Sequence, residues 1–129
     1  MKGMLMVAAL VLAGGAQAAQ PGELLAGYEA EAREAEAGFR ASASRGGQFF
    51  NARHGGEWSC ASCHGNPPVG QGKHAKTGKA IAPLAPAANA GRFVDAAKVE
   101  KWFRRNCNDV LSRACTPSEK ADVLAWLLK

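Results

Sequence analysis

The sequence predicts a small all-α domain of about four to five helices and one long loop. Several stretches have apolar residues at helical spacing, and the last two of them begin with residues that cap helix N-termini. In the middle of the chain, residues 65–92 are rich in Gly, Pro, Ala and Lys and have no sustained period. A loop of that length in a compact domain is usually functional or wrapped around something.

The first 18 residues are predicted to be a secretory signal peptide. A basic start at Lys2, an apolar run over residues 4–13 and the small-residue site Ala16-Gln17-Ala18 follow the order of export signals. The apolar run is too short to span a bilayer as a mature helix. Cleavage after Ala18 leaves one domain, residues 19–129, which we expect in the periplasm. It contains no methionine, because all 3 methionines precede the cleavage site.

Two short helices are predicted in the first third of the mature chain. Residues 22–37 are rich in Ala and Glu, and four of their apolar side chains fall at helical spacing: Leu24, Leu25, Tyr28 and Ala32. A second helix over residues 44–51 would place Phe49 and Phe50 inward. The pair Gly55-Gly56 then breaks the chain.

The last two helices have clear start signals. Asp95 is a good N-cap for a helix that reaches about Leu111. One face of this helix carries Val99, Trp102, Phe103, Asn106 and Val110. The final helix opens with Thr116-Pro117-Ser118-Glu119, which combines an N-cap, a proline at the first helical position and a capping-box glutamate. Its apolar residues are expected to pack on the core, with Trp126 beside them: Val123, Leu124, Leu127 and Leu128.

The pentapeptide Cys-Ala-Ser-Cys-His matches the attachment motif for c-type haem. The thiols of Cys60 and Cys63 can form thioethers with both vinyl groups of one porphyrin, which leaves His64 under the iron. Zinc or disulfide chemistry for the two cysteines is the alternative, but an exported all-helical chain favours haem. We predict one covalent haem c with His64 as its neutral proximal ligand. The second ring nitrogen of His64 should donate to a backbone carbonyl, with Pro83 or a neighbour in residues 81–84 as the candidate acceptor.

The ligand on the other side of the iron stays open at this point. Electron-carrying cytochromes use methionine there, and the mature chain has none. His54 and His74 are so near the motif in sequence that each would have to loop around the macrocycle, so both are better interpreted as solvated loop residues. The position could also be taken by a lysine or an oxygen ligand, or stay empty. Asn106 interrupts an apolar helix face, and a buried amide without a partner costs about 1 to 3 kcal/mol. Its partner is a backbone carbonyl, a haem propionate or the iron itself.

Cys107 and Cys115 are predicted to form a disulfide. They lie eight residues apart across the end of a helix, and exported proteins keep such pairs oxidised. Closing a loop of this length stabilises a fold by about 2 to 3 kcal/mol in the chain-entropy account. The disulfide acts either as a staple alone or also as a support for the backbone next to Asn106.

The charge of the chain is unevenly distributed. The formal net charge is +5, but residues 19–36 contain five glutamates and a single arginine, so the rest is a basic body. Lys73, Lys76 and Lys79 form a basic surface in the long loop. Export argues against nucleic acid as a partner. An acidic redox protein is therefore favoured over a surface that is merely solvated.

The chain resembles SHP, the sphaeroides haem protein, a small family of exported c-type cytochromes. The similarity covers most of the mature chain, and the segment between Ala30 and Cys60 matches least. Besides the haem motif it comprises Leu24 to Tyr28, Thr77-Gly78-Lys79, Ile81 to Pro86, Val99 to Trp102, Arg105 to Asn108, and Cys115-Thr116-Pro117 to Trp126-Leu127.

The resemblance implies a ligand set and a function. In the family, the asparagine before the third cysteine is the sixth ligand of ferric haem, and the two late cysteines form a disulfide. This implies iron ligation by Asn106 and a fold like that of class I cytochromes c. It also implies a dihaem cytochrome c and a membrane cytochrome b as electron donors, and diatomic ligands such as oxygen and nitric oxide.

The expected mechanism follows from the chemistry of the amide. An amide oxygen is a hard ligand that suits ferric iron better than ferrous iron, so Asn106 should leave on reduction. The open site, in a pocket lined by Trp102 and Phe103, would then take oxygen, nitric oxide or carbon monoxide. Whether the chain converts the bound molecule, as a reductase would, is left open. A plain electron carrier is the rival interpretation, and a gas sensor is a third.

Overall fold

A computed structural model describes residues 18–129, so the predicted signal peptide lies outside the described residues except for Ala18. Within this range the chain forms five helices and one two-stranded antiparallel sheet. The helices are α1 Pro21–Ala35, α2 Ala43–Asn51, α3 Cys60–His64, α4 Ala96–Leu111 and α5 Pro117–Leu127. The strands β1 Gly72–Lys73 and β2 Ala80–Ile81 form a small hairpin in the long loop. The predicted all-α class is confirmed.

The sequence signals for helix starts correspond to the observed caps. The Asp95 carboxylate accepts a hydrogen bond from the Lys98 backbone amide at 3.0 Å, which caps α4. At the start of α5, Thr116 and Glu119 form the predicted capping box. Helix α1 ends at Ala35, two residues before the predicted end at Ala37.

Helix α5 lies at the centre of the fold and packs against α1 and α2. Its Leu124 is fully buried, as are Ala121 and most of Leu127. The backbone of α2 approaches α5 at Gly46, where a Cβ atom would overlap the Asp122 carbonyl, so only glycine fits.

The same contact contains an ion pair between the exposed Arg45 and a buried carboxylate, which the sequence did not reveal. The carboxylate of Asp122 accepts hydrogen bonds from the Ser42 backbone amide at 2.7 Å and from Arg45 Nε at 2.7 Å. These contacts tie the start of α2 to α5. Because Asp122 is buried and paired, removal of Arg45 would leave an uncompensated charge.

Helix α4 is fixed to α1 and α5 by a polar cluster. The Tyr28 hydroxyl donates to a Glu100 carboxylate oxygen at 2.6 Å, and Lys120 Nζ donates to the same carboxylate at 2.9 Å. Burial and the neighbouring Glu100 charge raise the pKa of Tyr28. Burial alone would raise the pKa of Glu100, but the hydrogen bonds from Tyr28 and Lys120 outweigh it and lower that pKa. The Tyr28 ring also meets Phe103 edge-on, with centroids 5.7 Å apart.

A second apolar cluster joins the haem motif to the rest of the fold. We call it the Phe50 cluster; its buried members are Phe50, Val123 and Leu127, and against them pack Phe49, Cys60, Ala61, Leu84, Phe93, Phe103 and Trp126. Phe50 is almost fully buried, as predicted, whereas Phe49 is only partly buried. The cluster therefore brings α3, the long loop and α4 to one place. Across residues 18–129, no helix has the length and apolar character needed to cross a membrane.

Candidate functional site

The Cys-Ala-Ser-Cys-His motif forms its own short helix, α3. The Ser59 hydroxyl accepts from the Ser62 backbone amide at 3.1 Å, and the Ser62 hydroxyl accepts from the Ser59 amide at 3.0 Å. Positions 60, 63 and 64 share one face of a helix because they are three and four residues apart. The helical turn thus presents both thiols and the imidazole on the same side, as attachment to a single porphyrin requires.

The hairpin packs directly on this helix through Gly72. A Cβ atom at Gly72 would overlap the Cys63 carbonyl oxygen and lie 3.2 Å from His64 Cα. Farther along the hairpin, the Ala75 backbone amide donates to Cys63 Sγ at 3.3 Å. The absence of a side chain at position 72 therefore sets how closely the hairpin approaches the motif.

Two ionisable groups of the motif are held neutral. Burial raises the pKa of the Cys60 thiol to about 11. Burial, together with the positive charge of Arg92, lowers the pKa of His64 to about 4. His64 Nδ1 is buried, and within residues 18–129 it has no hydrogen-bond partner. A neutral imidazole is the form that binds a metal.

A cavity of about 370 Å³ lies between α4 and the long loop. Helix α4 and its N-cap contribute Asp95, Lys98, Val99, Trp102, Phe103 and Asn106, and the loop contributes Ala82, Leu84, Asn89, Gly91, Arg92 and Phe93. Its mainly apolar wall with a few polar groups is typical of cofactor and small-molecule sites. Three of its lining residues also belong to the Phe50 cluster, against which Cys60 packs: Leu84, Phe93 and Phe103.

Three of the predicted pocket residues line this cavity together. Trp102, Phe103 and Asn106 project from one face of α4, as the sequence spacing predicted. Within the described part of the chain, the Asn106 amide makes no hydrogen bond to another side chain or to the backbone, whereas Asn89 donates to a carbonyl at 3.2 Å. A backbone carbonyl is therefore not the partner of the Asn106 amide.

The predicted hydrogen bond from His64 to Pro83 is absent, and this expectation is corrected. The Pro83 carbonyl accepts instead from Asn89 Nδ2 at 3.2 Å and from Arg92 Nε at 2.9 Å. These two donors occupy the oxygen that His64 was expected to use. Pro83 itself lies between two residues that line the cavity, Ala82 and Leu84.

Neither of the two remaining histidines lines the cavity. A ring nitrogen of His54 lies 2.8 Å from the Phe49 carbonyl oxygen, and the residue is exposed. His74 Nδ1 accepts from the backbone amides of Lys76 and Thr77, which organises the hairpin turn. Both residues have the local loop roles that the sequence favoured.

Cys107 and Cys115 lie with their sulfur atoms at bonding distance and their Cα atoms 5.6 Å apart. Cys107 is in the last turns of α4, and Cys115 precedes the N-cap of α5. Because Cys107 follows Asn106 directly, a disulfide at this position would constrain the backbone that carries the amide.

The chemistry of these donors fits covalent haem. Two thiols and an imidazole with an unpartnered buried nitrogen lie on one helix, beside an apolar cavity. A zinc site would require further ligands, and no group of three or more His, Cys, Asp or Glu side chains among residues 18–129 could hold a metal ion. Cys60 and Cys63 are thus better suited to thioether attachment.

Sequence reasoning missed the polar residues of the loop wall. Arg92 donates through Nη2 to the Ala82 carbonyl at 2.8 Å as well as to Pro83, so its guanidinium is fixed against the loop that walls the cavity. Lys98 lies at the other side of the cavity. One signal was available in the sequence: Arg92 is a lone cation in an otherwise uncharged stretch between Lys79 and Asp95.

Comparisons with known proteins show which family the chain resembles. Residues 36–127 match a family described as "Domain of unknown function (DUF1924)". The cytochrome c-type protein SHP of Cereibacter sphaeroides is 49% identical over 128 residues, which cover 95% of each chain. Two solved structures are also similar to this chain. The structure of oxidised SHP, described as an oxygen-binding cytochrome c, has 50% identity and a TM-score of 0.75, and covers 84% of this chain and 95% of its own. The solution structure of Methylophilus methylotrophus cytochrome c″ has 42% identity and a TM-score of 0.75, with coverage of 84% and 92%. The description of that structure refers to insights into the structural basis of haem-ligand detachment.

Proposed function

Because the chain belongs to the SHP family of c-type cytochromes and carries covalent haem c, we propose that it is a redox-gated cytochrome that binds diatomic molecules. We place the haem on Cys60 and Cys63, with His64 as the proximal ligand and Asn106 as the ligand of the ferric state. The predicted signal peptide supports a location in the periplasm. The haem supplies an iron that changes oxidation state and, when one axial position is open, can bind oxygen, nitric oxide or carbon monoxide.

One observation carries the gating proposal: Asn106 projects into the cavity without a hydrogen-bond partner in the described chain, on a face that is otherwise apolar. The Asn106 side chain is partly buried at the cavity wall, so its amide oxygen would be free to bind an iron held in the cavity. Its oxygen is a hard donor, which would suit ferric iron better than ferrous iron. The description of a relative in terms of haem-ligand detachment is in keeping with such a release.

The residues around Asn106 define the site that would be open after its amide has left the iron. Trp102 and Phe103 form an apolar wall next to the amide, and this wall suits small uncharged ligands. The link between Cys107 and Cys115 keeps the backbone in place while the Asn106 side chain moves. On this proposal the gate would be a rotation of the Asn106 side chain, without unfolding of α4.

Carbon monoxide tests the proposal directly. The chemically reduced protein should bind it with a large change in the Soret band, because the site is open in that state. A reduced spectrum that is unaffected by carbon monoxide would favour a closed electron carrier instead. Haem attachment is tested separately: haem should stay with the protein through acid extraction, and should be lost when Cys60 and Cys63 are both changed to alanine.

The electrons are expected to come from another protein, since the sequence contains a single haem attachment motif. A dihaem cytochrome c, itself reduced by a membrane cytochrome b, is the proposed source. The basic body supports an acidic donor surface. The proposal does not require that the protein reduces the ligand it binds. The carbon monoxide experiment tests ligand binding alone.

A further inference from the structure

We propose that the hairpin of residues 72–81 is the docking surface for an acidic electron-donor protein, and that Lys73, Lys76 and Lys79 bind it. The inference rests on the proposed function, because it assumes that electrons reach this chain from another protein. The inference adds the site at which electrons enter the protein.

The hairpin is a fixed platform. Gly72 pairs with Ile81 and Lys73 with Ala80, and the turn between them is closed by hydrogen bonds from the backbone. The His74 amide donates to the Lys79 carbonyl at 2.8 Å, and the Gly78 amide donates to the His74 carbonyl at 2.9 Å. The turn is also held by the His74 ring, which accepts from two backbone amides. The lysine side chains therefore project from a backbone with a defined shape.

This platform touches the haem motif itself. Gly72 lies against Cys63 and His64 so closely that no side chain fits, and the Ala75 amide donates to Cys63 Sγ at 3.3 Å. Cys63 is one of the two proposed thioether positions. An electron that arrives at the hairpin is therefore separated from the porphyrin by very few atoms of protein.

The hairpin also has no acidic side chain in its own stretch of sequence to offset its positive charge. All three lysines are exposed, and no acidic residue occurs in the sequence between Cys60 and Asp95. Helix α4 carries four cations, Lys98, Lys101, Arg104 and Arg105, but it also carries Glu100 and Asp109. Its formal charge is therefore +2 over 16 residues, against +3 over the ten residues of the hairpin. Charges within about 10 Å of one another add at moderate ionic strength, so the hairpin attracts an acidic surface more strongly than α4 does.

The test compares two triple variants with the same change in charge. The docking variant is Lys73→Gln, Lys76→Gln and Lys79→Gln. The control variant is Lys101→Gln, Arg104→Gln and Lys129→Gln, at exposed positions that do not line the cavity. Reduced flavodoxin, a small acidic electron-transfer protein, serves as the donor to each ferric holoprotein in a stopped-flow experiment over a range of salt concentrations.

The docking variant should be reduced about ten-fold more slowly than the wild type at low salt, and its rate should depend little on salt. The control variant should stay within about two-fold of the wild type. Equal slowing of both variants, or no slowing of the docking variant, would overturn the proposal, because the charge would then act globally or not at all.

Two further measurements separate docking from an effect on the haem and from membrane binding. Uncharged lumiflavin semiquinone should reduce the wild type and both variants at the same rate. Slower reduction of the docking variant by this reagent would mean that the lysines act on the haem itself. That result would also overturn the proposal. Loss of binding to phosphatidylserine vesicles in the docking variant, with an unchanged flavodoxin rate, would overturn it as well and make the hairpin a membrane contact. Carbon monoxide binding to the reduced proteins tests the proposed function on its own, since it needs no protein donor.

Discussion

Replacement of Gly72 by alanine tests whether the hairpin sets the position of the haem motif. The new Cβ would overlap the Cys63 carbonyl oxygen and lie 3.2 Å from His64 Cα, and both are backbone atoms that no side-chain rotation can move away. Overpacking of this kind costs about 1 to 3 kcal/mol. At roughly 4 °C per kcal/mol for a domain of this size, the melting temperature should fall by about 4 to 12 °C.

The matched control is Gly70→Ala, two residues away. A Cβ at Gly70 meets no atom within 4 Å, so this change should alter stability by less than about 0.5 kcal/mol. Thermal unfolding of both ferric holoproteins is followed at the Soret band and by circular dichroism. The Gly72 variant should also show a shifted ferric spectrum, because His64 moves with Cys63. Equal melting temperatures and spectra for the two variants would refute the close packing of the hairpin on α3.

Three further predictions follow from the polar contacts and the disulfide. The pKa of Glu100 is lowered in the folded state, so its stabilising effect is present above the unfolded pKa of about 4.3 and is lost as the pH falls through the folded value. Urea unfolding of Glu100→Gln should therefore show a weaker decline between about pH 5 and 3 than the wild type. Arg92→Gln should lower the reduction potential measured by spectroelectrochemistry, because a positive charge near His64 disfavours ferric iron; an unchanged potential would contradict this. Alkylation and mass spectrometry should detect no thiol at Cys107 or Cys115 in native protein, and reduction of that link should cost about 2 to 3 kcal/mol of stability.

The helices could be predicted because their signals are local. Asp95 and Thr116 cap the residues that follow them, and apolar spacing places one face of α4 on the cavity. Such signals depend only on a few neighbouring positions, so a single sequence contains them. The motif helix α3 was not expected as a separate element, because five residues are too few to show a period.

The parts that could not be predicted depend on contacts between distant residues. Arg45 and Asp122 are 77 positions apart in the sequence, and the residues next to each of them do not indicate that the two form an ion pair. The Pro83 carbonyl was expected to serve His64, but Asn89 and Arg92 donate to it in the folded loop. Loop conformation decides such partners, and residues 65–92 have no periodic pattern from which to derive it.

Asn106→Ala tests the central claim, that the amide oxygen binds ferric iron and leaves on reduction. Asn108→Ala is the matched control, since Asn108 is exposed on the same helix and does not line the cavity. The measurement is the ferric spectrum together with the rate of cyanide binding. We expect an altered ferric spectrum and faster cyanide binding for Asn106→Ala, because no internal ligand has to dissociate first. We expect no change in the ferrous spectrum and none in the control. If the ferric spectrum and the cyanide rate of Asn106→Ala both match the wild type, Asn106 is not an iron ligand and the gating mechanism is contradicted.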